Sequence, residues 1–323
     1  MVKPLLLIVS PALADANNGN WQTAWRWSRL LAGHYRTQIV KDWQPGDFPE
    51  AVAMLALHAR RVAAPIAAWA AAHPGRGLAV VLTGTDLYRD IETDAASQRS
   101  LALAQRLVVL QAQGPRALPA PYHGKTRVIF QSTTLRRTLP KTGRHLRAVM
   151  VGHLREEKSP ETLWAAARLL RAQPDIHIDH IGAALEPALG QAARATMAQC
   201  PNYRWLGGLT HEATRRHIQR AHVLVHTSRM EGGAHVILEA VCSGTPVLAS
   251  RIDGNVGMLG EDYAGYFPWG DATALAGLLL RARTQAGMRA ALQAQCTLRA
   301  PLFVPAAERG ALLALVSELI HTP

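Results

Sequence analysis

In the stretch Ser228–Ser250, Glu231 stands directly before Gly232 and Gly233, and Glu239 follows eight positions after Glu231. Glycines at a strand-to-helix turn let backbone amides approach a ligand, and the start of the helix behind them favours an anion such as a diphosphate. Glu239, about a turn and a half into that helix, is placed to accept hydrogen bonds from two vicinal hydroxyls. Glu231, in the turn itself, is placed to orient a sugar. A second cluster, VMVGHLREEKSP (Val149–Pro160), ends an apolar run at Gly152 and His153, then supplies Arg155 and Lys158 before a helix. These cations would neutralise a leaving diphosphate, and the chain contains no Asp-x-Asp pair to hold Mg²⁺ near phosphates. Plainer roles fit the same residues. Glu231 could cap the helix, Glu239 could be solvated on its face, and Arg155 and Lys158 could be surface cations beside Glu156 and Glu157.

These residues need elements to hold them, and the chain alternates short apolar strands with amphipathic helices. Strands are predicted at Leu5–Val9, Thr37–Val40, Met54–Leu57, Leu78–Leu82, Leu107–Leu110 and Arg127–Phe130, with helices at Trp21–Leu31 and Pro65–Ala72. After the basic stretch Arg136–Arg147 the alternation restarts. Strands fit Arg147–Val151, Ile176–Ile181, Tyr203–Leu206, Val223–His226 and Pro246–Ala249, and helices fit Glu161–Arg171, Pro187–Ala198, Ala213–Arg220 and Val236–Cys242. Repeated βα units predict an α/β chain of two Rossmann-like, doubly wound domains facing a cleft. The 323 residues divide at Pro140–Arg147 into an N-terminal domain over 1–145 and a C-terminal domain over 146–305, with a last helix over 306–323 packing back on the first. Ligands of parallel sheets sit outside the carboxyl ends of the strands, so function is sought in the loops that follow them.

Charge narrows the partners. The net charge of +12 and pI near 10.3 suit polyanions. The arginines are dispersed through Ala/Leu-rich helices rather than gathered in an aromatic-interleaved stripe, which argues against nucleic acid. No apolar run of about 18 residues is present to cross a membrane. Lys3, the run Leu5–Val9 and Ala12-Leu13-Ala14 imitate a signal peptide, but with Pro4 and Pro11 beside so short a run a first strand is the preferred reading. Cys200, Cys242 and Cys296 are odd in number and lack metal-ligand spacing, which points to a reducing, cytoplasmic compartment with no disulfide framework or zinc.

Three loops of the first domain are candidates for a second substrate. Asn17-Asn18-Gly19-Asn20 leads into the helix carrying Thr23, with free amides for an anion and Asn20 as a possible N-cap. His58, Arg60 and Arg61 follow the third strand, where cations ahead of a helix oppose its dipole and so hint at an anionic ligand. Thr83-Gly84-Thr85-Asp86 follows the fourth strand and reads equally as a capping turn. Trp21, Trp25, Trp27 and Trp164 read as packing rather than stacking platforms.

Glu231-x7-Glu239, followed by Ala240, Gly244-Thr245-Pro246-Val247, Gly254-Asn255, Glu261 and Gly270-Asp271, resembles the donor half of retaining GT-B glycosyltransferases of the family-4 type. The resemblance implies that Glu239 binds the ribose hydroxyls of a nucleotide. It also implies that Glu231, Gly232, Gly233 and Ala234 touch the donor sugar, and that Lys158 is the phosphate lysine six residues after Gly152. His153 stands where that family usually has an arginine, with Arg155 as a substitute. Over nearly the whole chain, GNWQTAWRWSRLL, LALHARR, LTGTDLYRD, VGHLREEKSP, YRWLGGL, SRMEGGAHVILEA and ASRIDGNVGMLGEDYAGYFPWGD are similar to the selenosugar synthases of selenoneine biosynthesis. That subfamily implies transfer from UDP-N-acetylglucosamine to selenophosphate without a metal or other cofactor, alongside the other enzymes of that pathway. Gly19, Asn20, Thr23, His58, Arg60, Thr83 and Thr85 would then hold the selenophosphate. A conventional O- or S-glycosyltransferase, a nucleotide-sugar epimerase and a noncatalytic nucleotide-sugar or nucleic-acid binding protein are the alternatives.

Overall fold

The computed structural model describes residues 2–14 and 19–321. By internal contacts the chain forms two units. The first comprises Met1–Ser132, Glu231–Gly233 and Pro305–Pro323, and the second Thr133–Met230 and Ala234–Val304.

The first unit is built on six parallel strands: β1 (Leu5–Val9), β2 (Arg36–Val40), β3 (Ala51–Leu57), β4 (Gly77–Leu82), β5 (Arg106–Val109) and β6 (Thr126–Val128). They lie in the order β2-β1-β3-β4-β5-β6. The run Leu5–Val9 that imitates a signal sequence is a fully buried inner strand. Its side chains divide by parity. Leu5, Leu7 and Val9 join the layer that contains Trp43, Ile66, Trp69 and Leu101. Leu6 and Ile8 join the layer of Ala24, Trp27 and Leu31 on the other face. Sheets covered on both faces need such uninterrupted apolar runs. The covering helices are α1 (Gly19–Leu31), α2 (Ala63–Ala72), the short α3 (Ile91–Thr93) and α4 (Ala95–Leu103). A wide π-helical turn, Asp86–Asp90, precedes α3.

The second unit repeats the plan with β7 (Leu146–Val151), β8 (Ile176–Ile181), β9 (Tyr203–Trp205), β10 (Val223–His226), β11 (Val247–Ser250) and β12 (Tyr266–Phe267). The order is β12-β11-β10-β7-β8-β9, parallel throughout. Its helices are α5 (Pro160–Leu169), α6 (Pro187–Gln199), α7 (His211–Arg220), α8 (His235–Val241), α9 (Asp253–Leu259), α10 (Ala272–Thr284) and α11 (Ala286–Arg299). Two of these elements give little local signal. β12 has only two residues, and α9 opens with Asp-Gly-Asn, all weak helix formers. The segment 133–145 runs with the second unit: Arg136 N–H donates to Cys242 O (2.8 Å) and Thr138 Oγ1 to Ser243 O (3.1 Å).

The last helix, α12 (Pro305–His321), belongs to the first unit, where Leu312, Leu315, Val316 and Leu319 complete the layer around Trp27. Glu308 anchors it. This buried carboxylate accepts from Arg26 Nε (2.9 Å), Trp27 Nε1 (2.8 Å), and the Ser132 amide (2.8 Å) and hydroxyl (2.5 Å). A buried charge persists only when paired and hydrogen-bonded in this way.

Candidate functional site

In the second sheet the chain runs outward from β7 through β8 to β9, then returns to place β10 on the other side of β7. The switch point lies between β7 and β10, where a doubly wound sheet opens a crevice beyond its carboxyl ends. The loops leaving these two strands are tied together. Arg229 N–H donates to Glu157 O (2.9 Å), and Thr227 Oγ1 to Lys158 O (2.7 Å). Arg229 also pairs with Glu156 at 3.1 Å. Trp269 Nε1 donates to Ser159 Oγ (3.0 Å), where the backbone turns left-handed at φ 43°. Gly152 closes β7, and the aliphatic stem of Lys158 lies over it, 3.5 Å from where a Cβ would stand. Gly152 and Lys158 are therefore one small structure, a lysine folded over the end of the strand. Arg155 is half-exposed and loosely paired with Glu157 at 3.9 Å.

The amide of Ala183 donates to His153 Nδ1 (3.1 Å), which leaves the ring proton on Nε2. Burial, with Arg155 and Lys158 nearby, lowers the pKa of this ring below its ordinary value. A neutral His153 thus offers an N–H donor where an arginine would offer a charge.

Glu239 lies on α8, 4% exposed. Its Oε1 accepts from His211 Nε2 (2.7 Å) and from Arg215 at 3.4 Å, with His235 Nε2 at 3.7 Å one helical turn back. Both of these hydrogen bonds converge on Oε1. Burial pushes the pKa of this carboxyl up, but the His211 hydrogen bond and the charges of His235 and Arg215 outweigh it and hold it below the ordinary value. His211 is raised in turn, chiefly by the same bond. Arg215 is fully buried and also donates to Thr133 Oγ1 (2.5 Å), Thr134 O (3.2 Å) and Ser243 Oγ (3.2 Å). None of His211, Arg215 and His235 is a defined position in a motif of the linear sequence. Only His235, four residues before Glu239, carries a local signal, since i and i+4 share a helix face. His211 and Arg215 reach Glu239 from another helix.

The turn Glu231–Gly233 groups with the first unit. A Cβ on Gly232 would overlap the backbone of Thr83, and one on Gly233 would meet Leu110 Cβ at 2.7 Å, so both positions need glycine. Helix α8 starts from Ala234, buried and extended, with no side-chain cap, so Glu231 is not its N-cap.

Within the first unit the switch point lies between β1 and β3. Of the loop after β1, Asn17 and Asn18 lie outside the described residues. Helix α1 already includes Gly19, so Asn20 stands inside it rather than at its cap. Thr23 is buried, donating to Gly19 O (2.8 Å) and accepting from Gln131 Nε2 (2.7 Å). After β3, His58 is 2% exposed with φ at 83°, a costly conformation for a residue with a side chain. The Arg61 amide donates to its Nδ1 (3.3 Å), leaving Nε2 to face Thr85 Oγ1 (3.2 Å). Burial lowers its pKa, Asp86 opposes that, and Arg61 adds to it. Asp86 organises the cluster: its carboxylate accepts the amides of Ala59 (2.9 Å), Thr83 (2.8 Å) and Gly84 (2.9 Å). His58, Thr83 and Thr85 thus come together around a buried Asp86. Arg60 points outward to Asp90 (3.6 Å) and Asp94 (3.3 Å). Trp27 and Trp164 are buried, while Trp21 and Trp25 stack on each other at 5.8 Å.

Two parallel six-stranded α/β units, one with its switch-point loops carrying a lysine over glycine and a buried helix glutamate, define a GT-B fold. The family model of the glycosyl transferases group 1 matches residues 131–296, and the chain belongs to that family. It is accordingly a nucleotide-sugar-dependent glycosyltransferase. Among solved structures, Anabaena HepE in complex with UDP and glucose is similar at 16% identity and TM-score 0.74, covering 98% of this chain and 100% of that one. Sucrose-phosphate synthase from Thermosynechococcus elongatus is similar at 17% identity and TM-score 0.76, covering 99% and 100%. Staphylococcus aureus TarM, crystallised with Fondaparinux, alpha-GlcNAc-glycerol and UDP, matches at 11% identity and TM-score 0.66. That match covers 84% of this chain and only 55% of TarM. No helix among the described residues is long and apolar enough to cross a membrane.

Proposed function

We propose that the protein transfers a sugar from UDP-N-acetylglucosamine to selenophosphate, forming a 1-selenosugar. The observation that carries the donor half is Glu239, a buried helix carboxylate whose Oε1 is held by His211 and Arg215, which supports Oε2 as the acceptor for a ribose diol. The binding of UDP by HepE supports the choice of nucleotide. The acceptor rests on the stretches shared with selenosugar synthases, among them LALHARR and LTGTDLYRD, which contain His58, Arg60, Thr83 and Thr85.

In this reading the second unit binds the UDP-sugar and the first binds selenophosphate. Selenium, already anionic at neutral pH, attacks C1. The C1–Se bond forms as the C1–O bond to UDP breaks, and that electron pair passes to the diphosphate. Lys158, Arg155 and the loop amides stabilise the developing charge, and no metal or other cofactor is called for. Water then cleaves the P–Se bond, giving phosphate and the selenol.

The test is anaerobic incubation with UDP-N-acetylglucosamine, with and without selenophosphate, followed by UDP quantitation and mass spectrometry. UDP release that requires selenophosphate, together with a selenium-bearing sugar, is expected. UDP binding with no such product would remove the selenium assignment and leave the glycosyltransferase.

A further inference from the structure

The basic stretch Arg136–Arg147 plays no part in the transfer reaction above. Its second half lines a cavity of about 240 Å³ with Lys141, His145, His222, Arg283 and Arg289. Leu146, which opens β7, and His222, just before β10, place the cavity at the amino edge of the second sheet. The catalytic loops lie at the opposite edge. Six residues of β7 at about 3.3 Å each separate the two by about 20 Å.

The cavity holds more positive charge than its partners neutralise. Arg283 is satisfied by Asp175 (2.5 Å) and by Gly143 O and Arg144 O. His222 is saturated too, with Nδ1 accepting the Arg147 amide (2.9 Å) and Nε2 facing Thr142 O (2.9 Å). Burial drives its pKa down to about 4, so it contributes no charge. Lys141 has a single carbonyl partner, Gly244 O at 3.2 Å. The Arg289 side chain has no hydrogen bond or ion pair among the described residues, and its Nε is buried. His145, stacked on His177 at 4.1 Å, likewise keeps a buried, unpartnered Nε2. Lys141 and Arg289 both line the cavity, and neither has a carboxylate partner among the described residues, so their charge is left without a counter-ion. Burial and the charge of Arg289 depress Lys141 to about 8, a cost that a bound anion would remove.

We propose that this cavity is a second anion site, built for a single phosphate group that Lys141, Arg289 and His145 grip together. Its volume lies below the roughly 300 Å³ at which drug-sized ligand pockets begin, which suits a phosphate rather than a nucleotide. The phosphate is either the free inorganic ion or the headgroup of a lipid. The site is independent of which acceptor the enzyme uses.

The whole chain is titrated with inorganic phosphate while the histidine ring resonances are followed by NMR, with His145 assigned from H145Q. In parallel it is sedimented with phosphatidylcholine vesicles with and without phosphatidic acid. A saturable His145 shift is expected, with apparent Kd weakened about tenfold or more in K141M and in R289Q and largely kept in K141R. Vesicle retention that needs phosphatidic acid and is lost in the same variants, without a response to free phosphate, assigns the site to a headgroup. No response in either arm, or one unchanged in K141M and R289Q, overturns the proposal. Should a variant fail to fold, the wild-type His145 titration and vesicle arms decide it.

Discussion

In the proposed reading Glu239 and Lys158 carry separable parts of the donor site, so their variants should separate in kinetics. Lys158→Ala removes a cation aimed at charge that appears as the glycosidic bond breaks. It should lower kcat by about 100-fold or more and change UDP affinity far less; equal losses in both would contradict a transition-state role. Glu239→Ala removes the acceptor for a hydroxyl pair and should weaken UDP binding by about 10- to 100-fold, read by calorimetry. The Glu239–His211 pair also sets a pH window. The carboxyl is lowered from 4.5 and the imidazole raised from 6.5, so their mutual stabilisation is full between those values. It is lost on the acid side as pH falls through the lowered Glu239 pKa, and on the alkaline side as pH rises through the raised His211 pKa. The unmodified protein should therefore lose thermal stability as pH rises above 6.5, and His211→Gln should flatten that fall. An unaltered pH profile would show that the pair is not coupled.

At the scale of elements, what positions the site is the contact between strand ends. Gly182, at the end of β8, comes so close to the carbonyl of Gly152 that a Cβ would overlap it. Gly182→Ala should push the β7 loop, and Lys158 with it, out of place, so that melting temperature and UDP affinity fall together. A normal affinity in a destabilised protein would disconnect the two loops. Local patterning marked most elements well. Val223–His226 is legible from its continuous Val-Leu-Val run, and Ile176–Ile181 from β-branched isoleucines at 176, 178 and 181 set among polar residues, and both bounds match those observed. The helix over Asp253–Leu259 escaped because its first turn is poor helix sequence, and packing rather than propensity holds it. The chemical clusters were legible only where they are local. Gly152 with Lys158 sits within one βα unit, whereas Glu231 groups with the first unit despite its nearness to Glu239 in sequence, and Arg215 and His211 meet Glu239 from another helix.

For the whole molecule, the decisive long-range link is Glu308. It ties the last helix to Arg26, Trp27 and Ser132, more than 170 positions away in sequence. Glu308→Ala leaves the partly buried Arg26 without its counterion and Trp27 Nε1 without an acceptor. It should cost about 3–5 kcal/mol in denaturant unfolding, with faster proteolysis of the first unit. The overall charge of +12 has a different signature: the association rate of UDP should fall as ionic strength rises, through screening of a cationic field.

The sequence by itself determined the two doubly wound units, the strands that carry their loops, and the glycines and acidic residues of the donor motif. These depend on periodicity and on neighbours a few positions apart, which a linear reading captures. Tertiary structure alone decided that Glu231–Gly233 packs with the first unit, that His58 is enclosed around Asp86, and that Lys141, His145 and Arg289 converge on one cavity. Each of these depends on residues brought together by strand crossovers, and the electrostatic cost of a buried charge is set by what the fold places beside it.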